Sequence, residues 1–300
     1  MQPISSRNGI IFTVLSATIW GTSFLFVKIT VDELGYFFSL FIRMFLAFIS
    51  SAILFIIMNR QVIHANLFYF KRPYVYLITL LNVGGYFFQN MGATITESAK
   101  IALLVNSTSI FVPIISYFIL KENLNYKKGI GLVVGFSGLF FLTTGGDFQT
   151  LLQGSIIGDL FCLLGGLCWA LYIVFSRKLL IQKNEGYQPL NLSLVTIMFS
   201  FLFLLLFIPL YLPSFIQITS ITADLWLELT YLGIFTTTIA YTLYYIGLKS
   251  ISATKSAFIL LLEVVFATFL GILLRGEIFN LFYILGAILI IAAIIIVNLY

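Results

Sequence analysis

The sequence predicts an all-α membrane protein in which ten transmembrane helices form two inverted five-helix repeats around a central cavity. Three observations lead to this fold class. Hydrophobic residues make up 61% of the 300-residue chain and charged residues 9%, whereas soluble domains contain about 45 to 50% and about 25%. Apolar runs long enough to cross a bilayer recur along the whole chain. In addition, part of the first half of the chain is repeated in the second half.

Ten candidate spans are separated by polar breaks, and each is apolar over a length that suits a membrane helix. They cover 9–29, 38–58, 73–92, 99–119, 128–145, 155–176, 190–212, 225–247, 253–274 and 279–299. Strands of a membrane barrel would instead alternate polar and apolar residues over segments of about ten residues. The chain has room for these spans but for no sizeable soluble domain, which excludes a cytosolic catalytic or DNA-binding module.

The internal repeat becomes visible when the sequence is shifted by 155 positions. Six identical pairs then align without a gap: Tyr86 with Tyr241, Gly92 with Gly247, Lys100 with Lys255, Ala102 with Ala257, Glu122 with Glu277 and Gly131 with Gly286. Matches in a single register indicate a duplicated unit. We therefore divide the chain into a first unit, 1–147, and a second unit, 148–300.

The orientation follows from the distribution of lysine and arginine. Twelve of them lie at the N-terminus and in loops after even-numbered spans, and three lie in loops after odd-numbered spans. The positive-inside rule then places both termini in the cytoplasm. We expect the chain to lie in the plasma (inner) membrane. Because each unit has five helices, the second unit is inverted relative to the first, and two such units enclose a site that opens alternately to either side.

The net charge of +5 is explained by these membrane-flanking cations, so the expected partners are lipids and a small solute and not nucleic acid. Arg43 lies inside the second span, near its outer end. Its long side chain is expected to reach the headgroups and to act as an anchor.

Four stretches resemble the helix patterns of the EamA family in the drug/metabolite transporter superfamily. They are LSATIWGTSFLFVK at 15–28, FIRMFLAF at 41–48, IFVPIISYFILKE at 110–122 and LLEVVFATFLGILLRGE at 261–277. The resemblance implies a ten-helix carrier with two five-helix repeats around a central cavity, and export is inferred from the family. It does not imply a substrate, and we expect a small organic solute of amino acid-like, nucleoside-like or drug-like chemistry. The family often has proline directly after the glutamate of the ninth helix, whereas Val264 follows Glu263 here.

Glu263 is the strongest functional candidate. It lies eight residues after Lys255, or about 12 Å along a helix, close to the middle of a hydrocarbon core of roughly 30 Å. A carboxyl group there is costly unless it is paired, protonated or facing a wet cavity. It therefore either exchanges a proton or meets a cationic part of the solute, or it fixes helix packing through hydrogen bonds.

Further polar and aromatic residues are expected to line the same cavity. Thr108 matches Glu263 in the repeat, and Asn106 brings an amide with four hydrogen-bonding valences. Trp20 and Trp169 occupy matched positions in the first and sixth spans, as opposing walls of the pocket or as plain packing residues. The remaining candidates lie on the third and eighth spans and are Tyr86, Gln89, Tyr241 and Tyr245.

Three residue groups are assigned to structure. Pro113 favours a kink that could serve as a hinge. Glu122 is expected to cap a short turn. The glycines of the fifth span favour close packing, and the fifth and tenth spans could form a homodimer contact or a lipid-facing scaffold.

The rival functions are an enzyme embedded in the membrane and a channel-like facilitator. An enzyme would need clustered catalytic groups, whereas His64 is the one histidine and lies in a loop. A channel would need rings of carbonyls or charges. With no P-loop or paired metal ligands, we expect a carrier without cofactor or metal, and not an enzyme.

Overall fold

The computed structural model describes residues 5–58, 68–96, 98–182, 187–207, 221–275 and 279–298. Within these ranges the regular structure is helical, and no strand occurs in them. The end of the seventh predicted span, 208–212, lies outside the described residues, as do His64 and Glu277.

We label the helices in chain order. They are α1 (Ser6–Leu34), α2 (Tyr36–Met58), α3 (Pro73–Ala93), α4 in two segments (Ser98–Val105 and Thr108–Ile119), α5 (Tyr126–Thr144), α6 (Ile156–Ile181), α7 (Pro189–Leu204), α8 in three contiguous segments (Ala223–Tyr231, the π-helical Leu232–Ile239, and Ala240–Ser250), α9 in two segments (Ala253–Leu260 and Leu262–Arg275) and α10 (Leu281–Asn298).

Seven helices of the described chain are long and apolar enough to cross a membrane. They are Ser6–Leu34, Tyr36–Met58, Lys100–Ile119, Ile156–Ile181, Pro189–Phe207, Ala253–Leu274 and Leu281–Asn298. The prediction of an all-helical, multi-pass membrane protein is thus confirmed. The described parts of α3, α5 and α8 are helical as well but do not belong to this set of seven.

Several helix ends are fixed by local signals in the sequence. The Asn125 side chain accepts a hydrogen bond from the Lys128 N–H at 3.0 Å, and the Ser252 hydroxyl accepts one from the Lys255 N–H at 3.1 Å. Such caps satisfy amides that lack a partner at a helix start. At the other end of α5, Gly145 adopts the left-handed conformation (φ 62°) that commonly closes a helix.

Helices α4 and α9 are interrupted at matched positions. The break in α4 falls at Asn106 and the residue after it, and the break in α9 falls at Leu261, 155 positions later. At both points the backbone forms a hydrogen bond between residues i+3 and i in place of the α-helical bond between i+4 and i. The Ser109 N–H donates to the Asn106 carbonyl (3.0 Å), and the Val264 N–H donates to the Leu261 carbonyl (3.2 Å). The break in α9 therefore forms without the proline of the family pattern.

The break in α4 lies before Pro113, which belongs to the continuous segment Thr108–Ile119. Side chains bond back to the backbone at the break, since the Ser107 hydroxyl donates to the Leu104 carbonyl and the Asn106 amide donates to the Ala102 carbonyl. Such local hydrogen bonds compete with the helical ladder. The sequence signal for the break is thus the polar cluster and not the proline alone.

The repeated glycines serve equivalent helix crossings. A Cβ added at Gly92 of α3 would lie 2.7 Å from the Gly158 carbonyl oxygen of α6, and one added at Gly247 of α8 would lie 2.8 Å from the Gly9 carbonyl oxygen of α1. Neither position has space for a side chain. Helix α3 therefore crosses α6 in the same way as α8 crosses α1.

The glycines of α5 provide close contact with α10 of the same chain. A Cβ at Gly138 would lie 2.7 Å from the Gly286 carbonyl oxygen, and one at Gly131 would lie 2.5 Å from the Val297 side chain. The opposite faces carry exposed apolar residues such as Val133. The homodimer stays a prediction.

Candidate functional site

A cavity of about 680 Å³ lies between α1, α2, α3, α4, α6, α8 and α9. It reaches the end of the bundle where α1 finishes and α2 begins, and there it is lined by Lys28, Asp32 and Tyr36. The side chains of Lys28 and Asp32 are more than half exposed. We call this the open end, and it is the end that the charge distribution predicts to be external.

The opposite end of the bundle is packed. The cavity floor contains Tyr172 and Tyr244, each 1% exposed, and the fully buried Tyr245 and Leu248 follow below it. We call this the closed end. The cavity is therefore accessible from one side of the bundle.

Eight of the nine candidate residues line the cavity, namely Trp20, Tyr86, Gln89, Asn106, Thr108, Trp169, Tyr241 and Glu263. Tyr245 does not. Its hydroxyl lies 3.1 Å from the Ser176 hydroxyl, below the floor. It shares a helical face with Tyr241 as predicted, but it lies one turn deeper than the cavity reaches.

Matched aromatic residues form the centre of the site. The hydroxyls of Tyr86 and Tyr241, 155 positions apart, are 2.9 Å from each other. Trp20 packs edge-on against Tyr241 with ring centroids 5.0 Å apart, and Trp169 packs in the same manner against Tyr86 at 4.9 Å. Each tryptophan therefore contacts the tyrosine of the other unit.

The two indole groups differ in their hydrogen bonds. The Trp20 Nε1–H donates to the Thr236 carbonyl at 2.7 Å, within the π-helical segment of α8. That segment departs from α-helical hydrogen bonding, as is common at functional positions. The Trp169 indole N–H forms no hydrogen bond with any described residue, although Trp169 lines the cavity. It remains a free donor at the site.

Polar side chains of the cavity fall into two groups. The single hydroxyl proton of Thr108 is engaged, since the hydroxyl oxygen lies within donating distance of the carbonyls of Val105 (2.7 Å) and Gly166 (2.9 Å), and this contact joins α4 to α6. Gln89 and Asn90 line the cavity but form no hydrogen bond with the described residues. Asn90 is buried and Gln89 is half-buried. Because buried amides normally have partners, Asn90 favours water or a polar solute inside the cavity.

Glu263 begins the second segment of α9, directly after the break at Leu261. Its partly buried carboxylate lines the cavity and forms no hydrogen bond or ion pair with the described residues. The packing role considered for this residue would require such bonds. The geometry thus leaves the carboxylate available to a proton or to a solute.

Arg43 corrects the sequence interpretation. Instead of reaching the headgroups, it is 8% exposed and lines the cavity. Its Nε–H donates to the Thr237 hydroxyl at 2.9 Å, and its guanidinium lies 5.6 Å from the centre of the Tyr86 ring. Gly233 allows this arrangement, because a Cβ there would lie 3.0 Å from the Arg43 carbonyl oxygen, and so α2 can approach α8 closely.

Two polar contacts hold the closed end together. The Arg177 guanidinium at the end of α6 donates to the carbonyls of Leu248, at 2.7 Å, and Lys249. The Glu122 carboxylate accepts the N–H groups of Ala253 (2.7 Å) and Thr254 (3.2 Å) at the start of α9. Glu122 therefore contacts backbone amides as expected, but they belong to the start of α9 and not to a short turn near Glu122, and the contact links the two halves of the chain.

Comparisons with known proteins agree with this architecture. A sequence model of a family described as the EamA-like transporter family matches residues 7–144 and again 156–299. The chain is 26% identical over 283 residues to the uncharacterized transporter YoaV of Bacillus subtilis (strain 168), covering 92% of each chain. It is 24% identical over 285 residues to an uncharacterized transporter of Archaeoglobus fulgidus, covering 93% of each. A solved crystal structure with 17% identity has the same fold, with a TM-score of 0.76 over 99% of this chain and 98% of the other.

Proposed function

The chain belongs to the EamA-like transporter family, and on that premise we propose that it exports a small organic solute across the plasma membrane by alternating access. The family and the names of the relatives indicate a transporter and not an enzyme. The observation that carries the proposal is a cavity between the helices that is open at one end of the bundle and packed at the other. We expect an amino acid-like, nucleoside-like or drug-like solute.

The proposal includes ten helices in two inverted units, 1–147 and 148–300. The family model matches the chain twice, the helix breaks at Asn106 and Leu261 are 155 positions apart, and Tyr86 contacts its own counterpart, Tyr241. Each of these features of the first unit has an equivalent in the second unit, and the matched tyrosines meet each other. This supports a pseudo-two-fold relation between the units.

The same relation suggests how the open end closes. Lys28 is eight residues after Trp20, just as Arg177 is eight residues after Trp169. The carbonyls bound by Arg177, at Leu248 and Lys249, correspond to Ala93 and Thr94 at the end of α3. In the alternate state Lys28 would therefore bind these last carbonyls of α3, where a cation is favoured by the helix dipole.

In the observed state Lys28 is free to make this change. It pairs with Asp32 at 3.5 Å on a solvent-exposed surface, and exposed pairs of this kind contribute little to stability. Ala93 already lines the cavity. Closure of the open end, with release of the Arg177 contacts at the closed end, would expose the cavity to the other side.

Counterflow in proteoliposomes tests the carrier mechanism. A carrier shows faster uptake of labelled solute when unlabelled solute is present on the far side, because the loaded carrier returns. A channel-like facilitator, the alternative function, shows no such stimulation. Candidate metabolites for the assay are chosen by thermal stabilisation of the purified protein, and saturable uptake without exchange stimulation would contradict the proposal.

Cysteine accessibility tests the orientation. Asp147 follows the end of α5 and Lys127 lies in its first turn, so the two residues lie on opposite sides of the proposed membrane. In a background with Cys162 and Cys168 replaced by alanine, we expect an impermeant reagent to label Asp147→Cys in intact cells. Lys127→Cys should react after the cells are opened. The reverse pattern would overturn the cytoplasmic assignment of the termini.

A further inference from the structure

We propose that Arg43 is the anion-binding residue of this cavity and that the transported solute carries a carboxylate. This inference rests on the proposed carrier function, because it names the chemistry that the cavity recognises. It depends on four observations. Arg43 is buried, it forms no ion pair with the described acidic residues, and a hydrogen bond orients its guanidinium. In addition, the equivalent contact of the second unit is made by an uncharged side chain.

Arg43 is a buried cation without an acidic partner. It is 8% exposed, and none of the described Asp or Glu side chains forms an ion pair with it. The acidic residues of the cavity are Asp32, which pairs with Lys28, and Glu263, which is unpaired. A charge within a membrane segment is costly unless it is compensated, and an anionic solute in the adjoining cavity supplies that compensation.

The guanidinium is held in one orientation with most of its donors unused. Arginine has five N–H donors, and the Nε–H is bound by Thr237. The guanidinium Cζ lies over the Tyr86 ring, 5.6 Å from the ring centre. The terminal nitrogens form no hydrogen bond with the described residues. A fixed fork with two free nitrogens matches the two oxygens of a carboxylate.

The second unit shows that packing does not require this charge. Thr237 corresponds to Asn82 of α3 at the offset of 155 positions. Whereas α2 reaches Thr237 through Arg43, α7 reaches Asn82 through Ser200, whose hydroxyl accepts the Asn82 amide at 2.8 Å. A neutral serine thus completes the equivalent contact. A positive charge that one unit has and the other lacks favours a role in binding.

The surroundings of Arg43 indicate what the rest of the solute meets. Tyr86 lies beneath the guanidinium, and Trp169 packs edge-on against Tyr86, with an indole N–H that forms no hydrogen bond with the described residues. An apolar or aromatic group next to the carboxylate fits this surface. Phenylacetate and indoleacetate are therefore suitable probes, and their amides have almost the same shape without the charge.

The experiment measures ligand affinity by thermal stabilisation and tryptophan fluorescence of the purified protein. Acetate, phenylacetate and indoleacetate are compared with their amides at millimolar concentration. For the wild-type protein we expect an aromatic carboxylate to bind and its amide to bind at least about tenfold more weakly, as is typical for the loss of a charged hydrogen-bond partner. Equal affinity of acid and amide, or no stabilisation by any of these carboxylates, would overturn the proposal.

Variants separate the role of the charge from that of the fold. Arg43→Gln should lose the preference for the acid, and Arg43→Lys should keep a weaker preference because the charge stays and the fork is lost. The exposed Arg7→Gln is the matched control and should bind as the wild type does. Wild-type affinity in folded Arg43→Gln contradicts the inference. If neither Arg43 variant folds, the proposal is decided by the affinity of the wild-type protein for the carboxylates relative to their amides.

A failure here differs from a failure of the proposed function. If the wild-type protein shows no preference for acids over amides but still shows counterflow of another solute, only the proposed role of Arg43 is disproved. Retained acid binding without counterflow would instead remove the carrier mechanism.

Discussion

The open and closed ends of the bundle contain equivalent residues in different arrangements. At the closed end, Arg177 binds the last carbonyls of α8. At the open end, Lys28 occupies the corresponding position in the sequence, yet it is exposed and pairs only with Asp32 among the described residues. Two related segments thus show one contact made and one contact unmade within a single structure.

The two ends differ in conformation, because their sequences are equivalent but only one end has formed its contacts. The two sides of the cavity differ in sequence, because their charged residues are not matched between the units. Both ends keep a cation eight residues after a tryptophan. In the cavity, by contrast, Glu263 corresponds to Thr108, and Arg43 has no charged counterpart. A change of state can therefore exchange the ends, but it cannot exchange the charges that face the solute.

The largest expected effect comes from removing a charge that the repeat does not duplicate. Glu263→Gln keeps the shape of the side chain and removes its ability to bind a proton or a cationic group. We expect transport in proteoliposomes to fall to background while membrane abundance stays unchanged. The control is Glu33→Gln, an exposed glutamate outside the cavity. Normal transport by Glu263→Gln would show that the Glu263 carboxylate has no role in transport.

The next prediction tests whether the open end can form the contact seen at the closed end. With Lys28 and Thr94 replaced by cysteine in the cysteine-free background, we expect a disulfide to form in membranes and to stop exchange until it is reduced. Each single cysteine variant serves as a control. Disulfides require Cα atoms about 4.4 to 6.8 Å apart, so failure to cross-link although both cysteines react with maleimide would disprove the proposed closure.

A smaller effect is expected at the closed end itself. Glu122→Gln keeps one of the two carboxylate oxygens that cap α9, so the Ala253 or Thr254 N–H loses its acceptor. Loss of a cap typically costs about 1 kcal/mol. We expect a lower melting temperature and faster labelling of a cysteine at the buried Leu248, because the closed end opens more often. Unchanged labelling would mean that Glu122 does not hold this end.

The helices and most cavity residues could be predicted because their signals are local or repeated. Apolar length places a segment in the membrane, and the offset of 155 positions brings Tyr86 to Tyr241 regardless of loop structure. The break in α9 was not signalled by proline, since Val264 follows Glu263. Its signal was the match to Asn106 of α4, where polar side chains interrupt the helix.

The direction of Arg43 could not be predicted, because it depends on a contact between distant segments. An arginine near the end of an apolar run reaches the headgroups or turns inward, and its own helix permits both. The inward direction is set by two residues almost 200 positions away. Thr237 accepts a hydrogen bond from Arg43, and Gly233 lets α2 approach α8 closely. The signal that could have found the site was the set of three threonines in α8.

The smallest expected effect concerns Tyr245, and it separates the cavity from the packed floor. Sequence spacing gives Tyr241 and Tyr245 the same helical face, but only Tyr241 lines the cavity. Tyr245→Phe removes a hydroxyl that contacts neutral partners, among them Ser176. We expect uptake within about twofold of the wild type, since a neutral hydrogen bond contributes about 1 kcal/mol. Tyr241→Phe, the matched variant, removes the bond to Tyr86 at the centre of the site and should reduce uptake more. If Tyr245→Phe proved the more damaging change, the cavity would have to extend deeper during transport than in the observed state, and the floor would itself be part of the solute path.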